Sequence, residues 1–370
     1  MSVAMETDTG AMARPLPLSL DDIDCNWLTR AFRTHSPDVT IRDFEFADII
    51  RGTCTKIRLR LDVDEAGKQA GIPETVFLKG GFEEHSRQLV FLLKTESLGY
   101  RDLLAPSQAL NSPTCYFADY EEERSQGIVI MEDLARRGAV FGNPLEPRSH
   151  DDIAKTLSLL ARFNAASWNF PEAAASGALD WVETAPPFSR PGLKPYLEPD
   201  RWQGFVQMPR GAAASTLFHD RLWAIEALNR METLAQQVPN CIIHGDTHLG
   251  NVFFEPDGTP GFYDIVPRRA PPLSEVCYHV TLAMDVADRR RWERDLVRHY
   301  LDELKRYGVT DLPGFDAAMH QYGAFLIEGY CLVLTNDAYF MPEAPITAYG
   351  SRFSAAMLDN DTIGRLESVE

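Results

Sequence analysis

The sequence has no long apolar run: none reaches the roughly 18 residues of a membrane-spanning helix, and its first residues, MSVAMETDTG, carry acids where a secretory leader has a basic region followed by an apolar one. A cytoplasmic chain with no membrane partner is the expectation. Cysteine is sparse and scattered. Cys25, Cys54, Cys115, Cys241, Cys277 and Cys331 form no CxxC pair and no compact framework, so free thiols in a reducing compartment are expected and structural zinc is not. Basic charge is short as well, with 36 Lys and Arg against 54 Asp and Glu and a net charge of -18. That balance opposes a phosphate backbone, and with no dense basic patch it argues against a nucleic-acid partner. Internal repeats are missing too. Nothing in the pattern sets the oligomeric state.

What is present divides by periodicity, and 370 residues suffice for two lobes. The first dozen residues are expected to be disordered. Ser19 reads as a helix N-cap, with Asp21 and Asp22 in the first turn and Ile23, Trp27, Leu28 and Phe32 at helical spacing. Short alternating runs follow at Ile41 to Ile49, Lys56 to Val63, Thr75 to Leu78 and Ile128 to Met131, predicting a mostly antiparallel sheet. One helix, Ser86 to Leu104, interrupts them. Past Leu134 the pattern is helical near 151–168, 215–237, 285–307 and 313–336, with strand-like pieces at Cys241 to Ile243, Val252 to Phe254 and Gly261 to Val266. The fold class expected is α+β, with a strand-rich lobe over 1–134 and a mainly helical lobe over 135–370.

The chemistry is densest in CIIHGDTHLGNVFF, from Cys241 to Phe254, followed by GFYD ending at Asp264. Pro256-Asp257-Gly258 is turn chemistry between two apolar runs, so the flanking segments are expected to pair as a hairpin that carries Asn251 opposite about Asp264. Magnesium takes hard oxygen ligands and keeps several waters, so one Asn, one Asp and nucleotide phosphates are a sufficient set. Phosphoryl transfer also needs a carboxylate to accept the hydrogen bond of the attacking hydroxyl, a role that Asp246 suits. His244 and His248 are read as residues that orient the loop. A zinc hydrolase using His244, Asp246 and His248 is a competing reading, as these are zinc-ligand types at alternate positions. A non-catalytic nucleotide-binding regulator is another.

A second group lies upstream. Leu89, Leu92, Leu93, Glu96, Tyr100 and Leu103 share one helical face, so Glu96 falls in an apolar stripe and calls for a cationic partner in the same lobe. Lys79 closes the strand before it. A strand Lys paired with a helix Glu is how kinases hold nucleotide phosphates. Gly52, between two expected strands, stands where kinases place a phosphate-covering loop, with Thr53 and Thr55 supplying hydroxyls in place of further glycines.

The spacing D-x4-N followed by a strand Asp is that of a kinase catalytic loop, and with His244 and His248 the stretch resembles the HGDxHxxN loop of the aminoglycoside phosphotransferase and choline kinase families. The resemblance extends over most of the chain. RGTCTKIRLRL, ESLGYRDL and MEDLARRGAVFGNP look closest to the ecdysteroid-kinase-like subset. It implies a bilobal protein-kinase-like fold and a small-molecule kinase using ATP and Mg2+. Asp246 would be the base, Asn251 and Asp264 the metal ligands, and Lys79 with Glu96 the phosphate clamp. The backbone of Glu132, Asp133 and Leu134 would meet adenine. Asn164 stands where relatives often carry His, Glu275 where Asp is common, and Ile265 where Trp is usual. No activation segment ending in an APE-like motif follows Asp264, so the acceptor expected is a small-molecule hydroxyl rather than a peptide.

Overall fold

The structure, a computed structural model, describes residues 13–107, 109–169, 177, 179–338 and 340–369; the expected disorder of the first dozen residues lies outside them. Contacts divide the chain into two units, Met1–Gln108 with Ser112–Arg137, and Ala109–Asn111 with Gly138–Glu370. The α+β class is as expected, a sheet in the first unit and mainly helices in the second.

In the first unit α1 (Cys25–Arg33) precedes β1 (Ile41–Arg51), β2 (Thr55–Val63), a short α2 (Glu65–Gln69), β3 (Thr75–Gly80), α3 (Val90–Leu98), β4 (Cys115–Glu121) and β5 (Gln126–Glu132). The strands form one antiparallel sheet in the order β1-β2-β3-β5-β4. Alternation along β2 buries Ile57, Leu59, Leu61 and Val63, which join Trp27, Leu28, Val76, Leu78 and Ile130 in one core. Each such side chain contributes about 1.5–3 kcal/mol. Three expectations are corrected here. The first helix starts after Asp24, whose carboxylate accepts from Trp27 N at 2.6 Å, because Asp22 turns back onto Ser19 N at 2.9 Å and closes a separate short turn. The helix expected over 86–104 is split into a 3-10 turn, α3 and a π turn over Gly99–Leu104, with non-helical Leu89 (φ -115°, ψ 31°) at the first break. β4 is an additional strand. Its buried Asp119, held by Arg14 at 2.9 Å and Arg101 at 3.0 Å, interrupts the apolar alternation that would have marked it.

The second unit contains β6 (Val140–Phe141), α4 (His150–Ala165), α5 (Pro199–Val206), α6 (Pro209–Ala212), α7 (Arg221–Gln237), β7 (Cys241–Ile243), β8 (Val252–Phe254), β9 (Pro260–Phe262), β10 (Arg268–Ala270), α8 (Pro272–Ala283), α9 (Val286–Arg306), α10 (Phe315–Leu334), α11 (Glu343–Asp359) and α12 (Thr362–Glu367). β8 and β9 pair with Val252 opposite Phe262, which sets Asn251 against Tyr263, one residue short of Asp264. β7 pairs with β10 rather than with the hairpin. The strand expected to run through Val266 ends at Phe262, because Asp264 takes a left-handed backbone (φ 59°). α11 carries Pro345 and Gly350, which hide its period; Pro345 sits in the first turn, where no intrahelical N–H bond is lost. Among the described residues no helix is long and apolar enough to cross a membrane.

Candidate active site

The loop from His244 to Asn251 leaves β7, a short strand buried at every position. Gly245 follows with φ +86°, where a Cβ would lie 2.0 Å from Val266 O, so this turn excludes any side chain. The loop is then gripped from one helix. On α8, Glu275, Tyr278 and His279 lie at i, i+3 and i+4 and share a face. Glu275 Oε1 accepts from Gly245 N at 2.8 Å, Tyr278 donates its hydroxyl to Asp246 Oδ1 at 3.1 Å, and His279 Nδ1 meets Thr247 O at 2.7 Å. Three successive loop residues are thus held by three side chains of one rigid element.

The electrostatics follow from burial. Glu275 is raised to about 7 by desolvation, which outweighs its bonds from Gly245 and Asn164. Burial also pushes His279 down to about 4 and His244 down to about 3, so both rings are neutral at ordinary pH. Because Thr247 O only accepts, neutral His279 carries its proton on Nδ1. Asn164, on α4, donates to Ile242 O at 3.0 Å and lies 3.5 Å from Glu275 Oε2, while Tyr300 donates to its oxygen at 2.7 Å. Two of the three positions read as departures from the family's usual residues, Asn164 and Glu275, therefore approach each other beneath the loop.

Asp246 keeps a third of its side chain exposed. Its Oδ2 accepts from Asn251 Nδ2 at 3.0 Å, and the same amide nitrogen donates to Asp246 O at 2.9 Å. Both partners are acceptors, so the amide nitrogen must face them and the Asn251 carbonyl oxygen points away, available as a hard ligand. His248 accepts from Gly250 N through Nδ1 at 3.0 Å and turns Nε2 toward Asp246 Oδ2 at 3.6 Å. Asp264 follows Tyr263, whose N donates to Asn251 O at 3.1 Å. A zinc site on His244, Asp246 and His248 is not what these residues form. His244 is fully buried with Nδ1 near Asp246 N at 3.3 Å, and among the described residues no group of three or more His, Cys, Asp or Glu is arranged to hold a metal.

Within the first unit, Lys79 Nζ lies 2.5 Å from Glu96 Oε1, both nearly buried. Gly127 makes this possible: a Cβ there would sit 2.5 Å from Leu93 O and Ser97 Oγ, so α3 packs directly on β5. Around Gly52 and Thr53, His85 Nε2 meets Gly52 O at 2.7 Å and Ser86 donates to Thr53 O at 3.2 Å, tying the loop to the turn after β3. Thr55 is buried and its hydroxyl donates to Glu83 at 3.1 Å. Glu132 accepts from Thr114 N, and Asp133 binds Arg58 and Thr75, so both carboxylates are engaged along the sheet; Leu134 is buried.

Phe325 and Tyr330 are core side chains of α10, and Glu328 pairs with Arg268 at 2.6 Å. Tyr278 and His279 are site residues that the sequence reading passed over. The spacing ExxYH sets them with Glu275 on one helical face, but nothing in the sequence marks that face as the one turned to the loop.

A model of the APH family, described as a phosphotransferase enzyme family, matches residues 99–312, more than half of the chain and including Asp246, Asn251 and Asp264. The match is to the family as a whole and does not resolve the ecdysteroid-kinase-like subset. No curated protein sequence matches the chain. Similar solved structures include the choline kinase LicA from Streptococcus pneumoniae (11% identity, 87% of this chain and 94% of that one, TM-score 0.47). An aminoglycoside phosphotransferase from Alicyclobacillus acidocaldarius (13%, 88% and 92%, 0.42) and an ethanolamine kinase from Plasmodium vivax (14%, 89% and 86%, 0.46) are further ones. The chain belongs to the APH family of phosphotransferase enzymes, the family that its HGDTHLGN loop led one to expect.

Proposed function

We propose that the chain transfers the γ-phosphoryl group of ATP, with magnesium, to a hydroxyl of a small molecule such as an amino alcohol or a bulkier alcohol. The observation that carries this reading is the fixation of Asp246. Its two carboxylate oxygens are held by donors from separate elements, Tyr278 and Asn251, while part of the side chain stays open to solvent.

In this reading Asp246 accepts the hydrogen bond of the acceptor hydroxyl and takes up its proton as the new O–P bond forms and the bond from the γ-phosphorus to the bridging oxygen of the β-phosphate breaks, releasing ADP. The Asn251 carbonyl and the Asp264 carboxylate hold magnesium, a choice supported by their hard oxygen chemistry and by an amide already oriented by Asp246. Bound there, the metal neutralises charge on the phosphate oxygens. Lys79, steadied by Glu96, holds nucleotide phosphates, with the Gly52, Thr53 and Thr55 loop covering them through its backbone and Glu132 to Leu134 meeting adenine. His244 and His248 act by shaping the loop. Residues 1–134 are thereby assigned to the nucleotide, and 135–370 to the metal, the base and the acceptor. The six free thiols suit a reducing compartment.

The test is a phosphorylation screen over alcohols and amino alcohols with MgATP, read by mass shift of the acceptor, with GTP run beside ATP. A phosphorylated small-molecule acceptor is expected. Transfer confined to protein side chains would contradict the reading.

A further inference from the structure

Tyr278 differs from its two neighbours on α8 in reaching the loop at a side chain rather than at the backbone. Its hydroxyl lies 3.1 Å from Asp246 Oδ1, the oxygen that Asn251 does not use. A carboxylate only accepts, so the phenol donates. Burial first, and then the charge of Asp246, push the phenol's pKa well above its usual value, so the proton stays on the oxygen. The ring is held in place as well: Phe353 packs on it at 5.9 Å between centroids, and Gly329 leaves it room, since a Cβ there would be 3.0 Å from Tyr278 Cδ2.

Each carboxylate oxygen offers two acceptor directions. Around Asp246, Oδ2 takes the Asn251 amide and faces His248 Nε2, and one direction of Oδ1 takes Tyr278. The second direction of Oδ1 is the one left for an incoming hydroxyl. It lies beside the phenol.

We propose that Tyr278 is a positioning residue for phosphoryl transfer, fixing the rotation of the Asp246 carboxylate so that the open side of Oδ1 faces the acceptor hydroxyl. This rests on the reading of Asp246 as base. Two donors from different elements, Asn251 at the loop's end and Tyr278 on α8, define the carboxylate plane; one donor alone leaves it free to turn. A misplacement of about 1 Å at a reacting group costs on the order of a hundredfold in rate. Loss of the phenol oxygen therefore lowers kcat rather than weakening nucleotide binding.

The test is a double-mutant cycle of Tyr278→Phe and Asp246→Asn. The readout is single-turnover ADP release from MgATP, with 2-aminoethanol as the probe acceptor and in water alone. Tyr278→Phe is expected to lower the rate roughly ten- to a hundredfold with the ATP KM unchanged, and to cause no further loss in the Asp246→Asn background. Placing 4-aminophenylalanine at position 278, which keeps the ring and a donor, is expected to restore much of the rate. A wild-type rate in Tyr278→Phe, or the same fractional loss with and without the Asp246 carboxylate, overturns the proposal while leaving the base assignment standing. Full turnover in Asp246→Asn overturns both. If the phenylalanine variant unfolds, the 4-aminophenylalanine protein decides: a rate far below wild type in that folded variant also counts against the proposal.

Discussion

Replacing Glu275 by Gln removes a buried carboxyl whose proton is held to about pH 7, against 4.5 ordinarily. The sign follows from which state binds the proton. Below about 4.5 Glu275 is neutral folded or unfolded, and its contribution to stability is fully present. Between there and 7 the unfolded chain releases the proton while the folded chain keeps it, so stability falls as pH rises, by roughly 1.4 kcal/mol per pH unit. The loss totals about 3 kcal/mol, an order-of-magnitude figure, and levels off above pH 7. His244 and His279 act in the opposite sense, since burial keeps them neutral and their contribution is lost as pH falls below the usual histidine range. The difference between wild type and Glu275→Gln cancels them. Gln keeps an oxygen for Gly245 N and loses the weaker approach to Asn164, a cost that does not vary with pH. Melting temperatures at pH 5 and pH 8 are the assay. At a few degrees per kcal/mol, the gap between the two proteins should move by roughly 5–10 °C in favour of the variant at the higher pH. A gap equal at both pH values would refute the assignment of the raised carboxyl to Glu275.

Glu96→Gln removes the carboxylate that pairs with the Lys79 ammonium and should destabilise the first unit by roughly 1.5–3 kcal/mol; urea denaturation followed in that unit checks it, and an unchanged midpoint would refute the pairing. Gly245→Ala must displace Val266 or the loop, because its Cβ would lie 2.0 Å from Val266 O. Turnover in that variant should fall on the order of a hundredfold even in the fraction that remains folded by circular dichroism.

Much of this arrangement was legible in the sequence because it is local. The hairpin register follows from the turn at Pro256 to Gly258 and the two apolar runs beside it, to within one residue at Asp264. The Lys79 and Glu96 pair was readable because a carboxylate in an apolar helical stripe demands a partner, and the structure supplies the expected one. What stayed hidden depends on tertiary contact. Nothing in the run PLSEVCYHVTLA distinguishes Tyr278 and His279 from core residues until α8 is laid against the loop. Asp119 made β4 look unlike a strand because its partners, Arg14 and Arg101, come from distant segments. Asn164 and Glu275 read as two separate departures from the family, and only the folded chain brings them within 3.5 Å of each other.

The most direct test of the account is Asp246→Asn, assayed both for MgATP binding by calorimetry and for phosphoryl transfer by mass shift of the acceptor. The amide keeps the size of the side chain but cannot take up the acceptor's proton. Retained MgATP affinity with transfer lowered roughly a hundred- to ten-thousandfold, as expected when a general base is lost, is the predicted result. Transfer at the wild-type rate would contradict the assignment of Asp246 as the base.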